Sequence, residues 1–222
     1  MLNQNHQDFL SAYAKPDDHY SYDAAPISYL NSSKSTPEML RNALNDKELV
    51  VRDAAVSHPN ATPEILNKAL NDKVSTIRET AVKHPNATPE VLLRALDDTN
   101  TYVRHAAASH PNAASKILHR ALDDDQQMFI KAAAIQHPNA TTDVLHRALN
   151  DKESLVRQLA VEHPNVTLEI LHKASNDENR SVRYSAINHP KATVEMLRKA
   201  TQDEDSYVHN RANKKLKDIG LN

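Results

Sequence analysis

One short phrase governs what this chain can fold into. His84-Pro85-Asn86-Ala87-Thr88-Pro89-Glu90 holds in sequence the signals that end one helix, turn the chain and begin another. Its His-Pro pair recurs at His58, His84, His110, His137, His163 and His189, in steps of 26, 26, 27, 26 and 26 residues. A fixed period of that size marks stacked supersecondary units, each too small to bury its hydrophobic face alone.

The phrase reads physically. A residue before proline is pushed out of the α region, so His84 is expected to be the last helical residue and Pro85 to stop the ladder. Asn86 is of the type that tolerates the left-handed conformation usually given to glycine, which suits a chain whose single glycine is Gly220. Thr88 is predicted to cap the next helix, with Pro89 at its first position and Glu90 at its positive end.

Between turns lie two short amphipathic segments. In the second full repeat, Pro63 to Asn71 places Ile65, Leu66, Ala69 and Leu70 on one stripe; we call this type helix A. Helix B runs from about Ser75 to His84, with Ile77, Ala81 and Val82 on its stripe. The recurrent small residues Ala69, Ala95, Ala121, Ala148, Ala174 and Ala200 allow the helices to approach closely. The fold class is therefore all-α: an α-solenoid of about seven two-helix repeats of 26 residues. Residues 1–31 fall outside the period, carry Phe9, Tyr13, Tyr20, Tyr22 and Tyr29, and are expected to form an aromatic-rich cap. The array spans 32–216, and 217–222 form a tail. The Asn213-Lys214-Lys215-Leu216-Lys217 end is expected to face water.

Composition removes whole classes of function. Without cysteine there is no disulfide framework, thiolate metal site, iron-sulfur cluster or cysteine nucleophile. One glycine cannot build a phosphate loop, and no nucleophile elbow is present. A formal charge of -2 exerts no global pull toward nucleic acid or anionic lipid. No apolar run approaches the length of a membrane helix, and Met1 to Lys15 lacks the apolar core of a signal peptide. The expectation is a soluble cytoplasmic protein, non-enzymatic, with no cofactor and no metal.

A second pattern runs with the first. Asp46, Asp72, Asp98, Asp125, Asp151, Asp177 and Asp203 each precede by six residues Arg52, Arg78, Arg104, Lys131, Arg157, Arg183 and His209. The aspartate is expected to cap helix B and the arginine to bridge to the aspartate of its own or the adjacent repeat. A residue needed for chemistry is needed once, so the ladder reads as structural. These motifs, His84-Pro85-Asn86-Ala87-Thr88-Pro89-Glu90-Val91-Leu92 with Val103-Arg104-His105-Ala106-Ala107, resemble the leucine-rich repeat variant family over about residues 32 to 216. The Asp-to-Arg spacing also resembles HEAT-like repeats. The resemblance implies a right-handed superhelix of paired helices, one of the tighter 3₁₀ type, used mainly as a binding scaffold. The repeat here is slightly longer, which leaves room for two α-helices, and the family's cysteine cluster has no counterpart.

Six of the thirteen histidines belong to the turns. Stacked helices about 8 to 10 Å apart do not bring such a ladder to one metal ion, and the turn histidines are read as groups that donate to the last helical carbonyls. A HEAT-like DNA glycosylase is the sharpest enzymatic alternative, but tryptophan is absent and aromatics that would hold an extruded base are scarce. The long repeat carries its extra residue around Gln126-Gln127-Met128-Phe129, with Phe129 expected at a buried valine position. Helix B varies at Asp53, Glu79, His105, Ala132, Gln158, Tyr184 and Asn210, as a surface tailored to a partner would.

The candidate partner-binding residues lie on helix A. Arg94, Arg120, Arg147, Lys173 and Lys199 recur at one position, with His119, His146, His172 and Arg198 beside the later members, making a basic ridge. Glu90, Asp143, Glu169 and Glu195 stand four residues before a ridge cation, so intrahelical ion pairs are the structural alternative. The leading function is a scaffold binding a protein partner across the repeats. The second is a nucleic-acid-binding solenoid using the ridge; partner identity and oligomeric state are left open.

Overall fold

The computed structural model describes residues 30 and 35–221, so the predicted cap and the degenerate Ser32-Ser33-Lys34 start lie almost wholly outside the described residues. The described residues form fourteen α-helices and no strand. They divide into two compact units, Met1–Asn112 and Ala113–Asn222. Unit 1 holds three helix pairs: α1 (Pro37–Ala43) with α2 (Leu49–Ser57), α3 (Pro63–Ala69) with α4 (Ser75–Lys83), and α5 (Pro89–Ala95) with α6 (Thr101–Ala108). Unit 2 holds four: α7 (Ser115–Ala121) with α8 (Met128–Gln136), α9 (Thr142–Ala148) with α10 (Ser154–Glu162), α11 (Leu168–Ala174) with α12 (Arg180–Asn188), and α13 (Val194–Ala200) with α14 (Ser206–Asp218). Both members of each pair are α-helical, including the seven-residue A helices, where the resemblance implied that one would be of the tighter 3₁₀ type.

Short helices of this kind are stable through what they bury. Each A helix contributes a pair of aliphatics and an alanine, as with Val144, Leu145 and Ala148, which are at most 1% exposed. Each B helix answers with a set such as Val156, Ala160 and Val161, all fully buried. Full burial of one such aliphatic is worth about 1.5 to 3 kcal/mol.

The turns show how neighbouring pairs are joined. His84 is extended (φ -67, ψ 136), so α4 ends at Lys83, one residue earlier than expected; the restriction before proline acts on the histidine itself. Ala87 N–H donates to the His84 carbonyl at 2.8 Å, closing a β-turn with Pro85 second. Asn86 N–H donates to His84 Nδ1 at 3.0 Å, so the neutral ring carries its proton on Nε2. That Nε2 lies 3.1 Å from the His58 carbonyl, and His110 Nε2 lies 3.2 Å from the His84 carbonyl. In unit 2, His163 bonds the backbone of His137 in the same way. The Asn86 amide donates to the Pro59 and Ala61 carbonyls at 3.2 and 2.9 Å. His84, His110 and His163 thus do not bond the carbonyls of their own helix, as the sequence suggested; like the Asn86 amide, they reach the preceding turn.

Two lysines take over this role at the last pair. Lys191 replaces the asparagine, its Nζ donating to the Pro164 and Val166 carbonyls at 2.9 Å each. Lys215 stands at the histidine position and donates to the Ile187, Asn188 and His189 carbonyls at 2.9, 3.3 and 3.2 Å. Its ammonium pKa is pushed down by burial, then by Arg211. The expectation that this stretch faces water is therefore corrected at Lys215. Leu216, not proline, follows, so α14 runs on to Asp218 and buries Leu216 against Ile187 and Ala212. This substitution yields a prediction: Asn86→Ala should lower stability by about 1 kcal/mol, and Asn86→Lys should recover most of it in urea denaturation. Equal stability of the alanine and native chains would show that the amide hook is idle.

Thr36, Thr62, Thr167 and Thr193 each accept the backbone N–H three residues on, as N-caps should. Thr88 holds the N-cap position in extended conformation but makes no side-chain capping bond, contrary to expectation. Thr141 also makes none; its hydroxyl is 3.2 Å from the Ser115 hydroxyl instead.

The extra residue of the long repeat sits in the turn before α8. Elsewhere the ladder aspartate accepts the N–H two residues on, as Asp72 does from Val74 at 2.8 Å and Asp177 from Asn179 at 2.8 Å. In the long repeat Asp124 does so, from Gln126 at 3.1 Å and Gln127 at 3.0 Å, while the Asp125 side chain is 70% exposed. The ladder position belongs to Asp124, not Asp125, because the loop absorbs the insertion before the helix starts. Register is then restored: Ile130 takes the buried position, and Phe129, expected in the core, is 40% exposed.

Candidate partner-binding surfaces

The aspartate-arginine ladder ties B helices to the turn of the next repeat. Arg52 pairs with Asp72 and Arg78 with Asp98 at 2.6 Å in unit 1. In unit 2, Lys131 pairs with Asp151, Arg157 with Asp177 and Arg183 with Asp203, each at 2.8 Å. In each of these five pairs the partner is the aspartate of the following repeat. The arginine Nη1 meanwhile donates to the carbonyl of its own turn, as Arg157 does to Asp151 at 3.0 Å. The aspartate does not cap helix B itself; it bonds the N–H of the residue that precedes the helix. Burial alone would raise the carboxyl pKa of Asp98 and Asp177, but the hydrogen bonds from Arg78 and Arg157, and from the Asn100 and Asn179 N–H, outweigh it and hold both below the usual carboxylate range. Lys131 is raised although burial opposes it, through Asp151, Glu153 and Asp125. These groups are buried, satisfied and structural.

The ridge predicted on helix A divides into two columns. The first reaches back to the preceding repeat. Arg94 donates to the Asn67 carbonyl at 2.7 Å and to the Asn71 side chain. Arg147 donates to the His119 carbonyl at 2.6 Å and pairs with Asp123. Lys173 reaches Asn150, and Lys199 reaches Asn176. Arg120 lies 3.5 Å from Asp123, three residues on. Arg94, Arg147, Lys173 and Lys199 are therefore inter-repeat staples, a role the sequence did not disclose because each partner lies in the preceding repeat.

The second column faces outward. His172 and Arg198 are exposed, and His119 and His146 are half-buried at the same place on α7 and α9. His146 Nε2 lies 3.7 Å from Glu169. No acid stands in the first turn of α7, where Lys116 replaces it. Unit 2 therefore brings His119, Arg120, His146, Arg147, His172, Lys173, Arg198 and Lys199 onto successive A helices, whereas Arg94 belongs to unit 1.

The B helices present a different surface, also partly missed. Their second residues include Val50 and Tyr102 in unit 1, and Phe129, Leu155 and Tyr207 in unit 2, between 40% and 71% exposed. An apolar residue at a helix start reads as core from sequence. Of the variable B positions, Asp53, Tyr184 and Asn210 are exposed and the others half-buried. Among the described residues no group of three or more histidine, aspartate or glutamate side chains is placed to hold a metal ion, and no helix is long and apolar enough to cross a membrane.

Stacked pairs of α-helices, tied by a repeating internal ladder, define an α-solenoid of about seven two-helix repeats. The fold is shared with a solved leucine-rich repeat variant described as having a novel repetitive structural motif, at 19% identity, 94% coverage of this chain, 80% of that chain and a TM-score of 0.64. At that identity the likeness is one of fold. A chain of the S. pombe condensin Cnd3-Cnd2 subcomplex also matches, at 17% identity over 97% of this chain and 33% of that one, with a TM-score of 0.40. No protein-family model matches the chain, and no curated protein does.

Proposed function

We propose that this solenoid is a non-enzymatic, cytoplasmic scaffold that binds an acidic protein surface through the A-helix ridge of unit 2. The observation that carries this reading is the outward column of His119, His146, His172 and Arg198, held in line by the staple cations beside it. Charges at intervals of roughly 8 to 10 Å suit carboxylates scattered on a protein better than duplex phosphates, which come about every 1.7 Å of axis.

Arg120→Glu combined with His172→Glu and Arg198→Glu reverses the ridge while sparing Arg147, Lys173 and Lys199. A short glutamate-rich peptide is expected to bind the native chain and to lose at least about tenfold in affinity to this variant, at unchanged melting temperature. Preference for an oligothymidine strand, with a steep loss of affinity as salt rises, would replace this reading by the nucleic-acid one. Unchanged peptide affinity in the variant would remove the ridge from consideration.

A further inference from the structure

Four B helices of unit 2 carry a row that the ridge does not explain. At the second residue of each stand Phe129, Leu155, Ser181 and Tyr207; the aromatic and aliphatic members are 40%, 48% and 71% exposed in that order. Ser181 breaks the row. Its small side chain leaves an open groove of about 320 Å³, lined by Gln158 of α10, Tyr184 of α12 and Tyr207 of α14. Tyr184, one turn further along α12, supplies the apolar surface that Ser181 lacks.

Carboxylates border this groove on the side of the preceding turns, and a cation already sits inside it. Glu178 and Glu204, in the turns leading to α12 and α14, each lie near a buried ladder arginine, Arg157 at 3.2 Å and Arg183 at 3.7 Å, yet keep their side chains 86% and 88% exposed. Arg180 lies with its guanidinium carbon 5.8 Å from the Tyr207 ring centre and pairs with Asp205 at 3.2 Å. That side chain is itself 63% exposed, so it rests on the ring without being locked there. It shows what the surface accepts: a cation over an aromatic face, with a carboxylate at its edge.

We infer that this face docks a basic peptide in the polyproline conformation, with lysine or arginine at every third position. The spacing selects the conformation. Side chains on one face of a polyproline helix recur about every 9.3 Å, close to the roughly 8 to 10 Å between packed helices. A β-strand repeats a face about every 6.6 Å and falls out of step within two repeats. The aliphatic stems of the peptide cross Leu155 and Tyr184, its cations meet Glu178 and Glu204, and one of them takes the place of Arg180 over Tyr207. The acidic rim disfavours nucleic acid, so this surface is separate from the ridge in ligand as well as in position.

The test uses the 222-residue chain and a fluorescein-labelled peptide of repeated Arg-Pro-Pro triplets, read by anisotropy. Tyr207→Ala and Tyr184→Ala should each weaken binding by about tenfold, as loss of an aromatic anchor does. Arg180→Ala should tighten it, because the resident cation no longer competes. A peptide of the same composition with its arginines clustered at one end should bind at least about fivefold more weakly. The ridge variant should bind the triplet peptide as the native chain does, which separates failure of this inference from failure of the ridge. The inference is overturned by any of three results: no binding to the native chain, equal binding of the clustered peptide, or unchanged affinity in Tyr207→Ala with its melting temperature intact.

Discussion

Lowering the pH from 7.5 to 5 is expected to destabilise the chain through its turn histidines. Burial pushes the imidazole pKa of His84 and His163 down, and the bonds to the preceding turns only partly offset it; His189 is lowered by burial and by Lys191 and Lys215. A depressed folded-state pKa means the unfolded chain binds protons first, so this contribution is complete above the ordinary value near 6.5 and is lost as pH falls below it. The structural cause is direct. In the folded turn Nδ1 accepts the N–H of Asn86 or Asn165, and a protonated ring cannot accept it. Each N–H left without an acceptor costs about 1 to 3 kcal/mol, and each kcal/mol shifts the melting temperature of a chain this size by about 2 to 4 °C. His84→Asn with His163→Asn should be less stable at pH 7.5 but flatter between 7.5 and 5, since the amide oxygen accepts the same N–H and does not titrate. A melting temperature in the native chain that stays level across this range would refute the proposed histidine linkage. Below about pH 4 a second loss should follow, as the ladder carboxyls held low by their arginines are protonated.

Arg157→Ala should have the largest effect of any single substitution named here, about 3 to 5 kcal/mol of stability. The guanidinium donates Nε and Nη2 to the two oxygens of Asp177, both at 2.8 Å, and Nη1 to the Asp151 and Lys152 carbonyls at 3.0 and 3.2 Å. Its removal strands a carboxylate that is about 10% exposed, together with two turn carbonyls. Arg157→Lys should cost less, because the protein already makes that exchange at Lys131. There a single Nζ reaches Asp151 at 2.8 Å, helped by Asp125 and Glu153 at 3.5 Å. Guanidinium denaturation followed by circular dichroism gives the comparison; a loss under about 1 kcal/mol for the alanine variant would mean the ladder is ornamental.

The repeat, its two helices and the structural nature of the ladder were all legible in the sequence, because proline, threonine and periodic aliphatics act locally. Which repeat a side chain bonds was not. Arg157 stands six residues after Asp151 and twenty before Asp177, and spacing left both partners open. The protein uses both, the near residue for its carbonyl and the far one for its carboxylate. Asn86 failed for a similar reason: its backbone role in the turn is local, whereas its amide works 25 and 27 residues away. Three consecutive aspartates, Asp123-Asp124-Asp125, made the position of the inserted residue ambiguous by one, and that one residue moved Phe129 from core to surface. On the ridge, the residue types were readable but their occupation by Asn71, Asn150 and Asn176 was not, since hydrogen bonds between repeats leave no mark in the period.

The turn ladder runs one way. His84, His110 and His163, with Asn86, donate to the turn before them within their own unit, and those turns offer the carbonyls. A cut made at the same point in two successive periods therefore exposes matching halves, and duplicating or deleting a segment such as 138–163 restores every donor to an acceptor. Length can change by whole repeats without redesign of any joint. The turn can also be skipped: Lys215, in the histidine place, serves the carbonyls behind it, and without a following proline the helix runs on and no new turn forms.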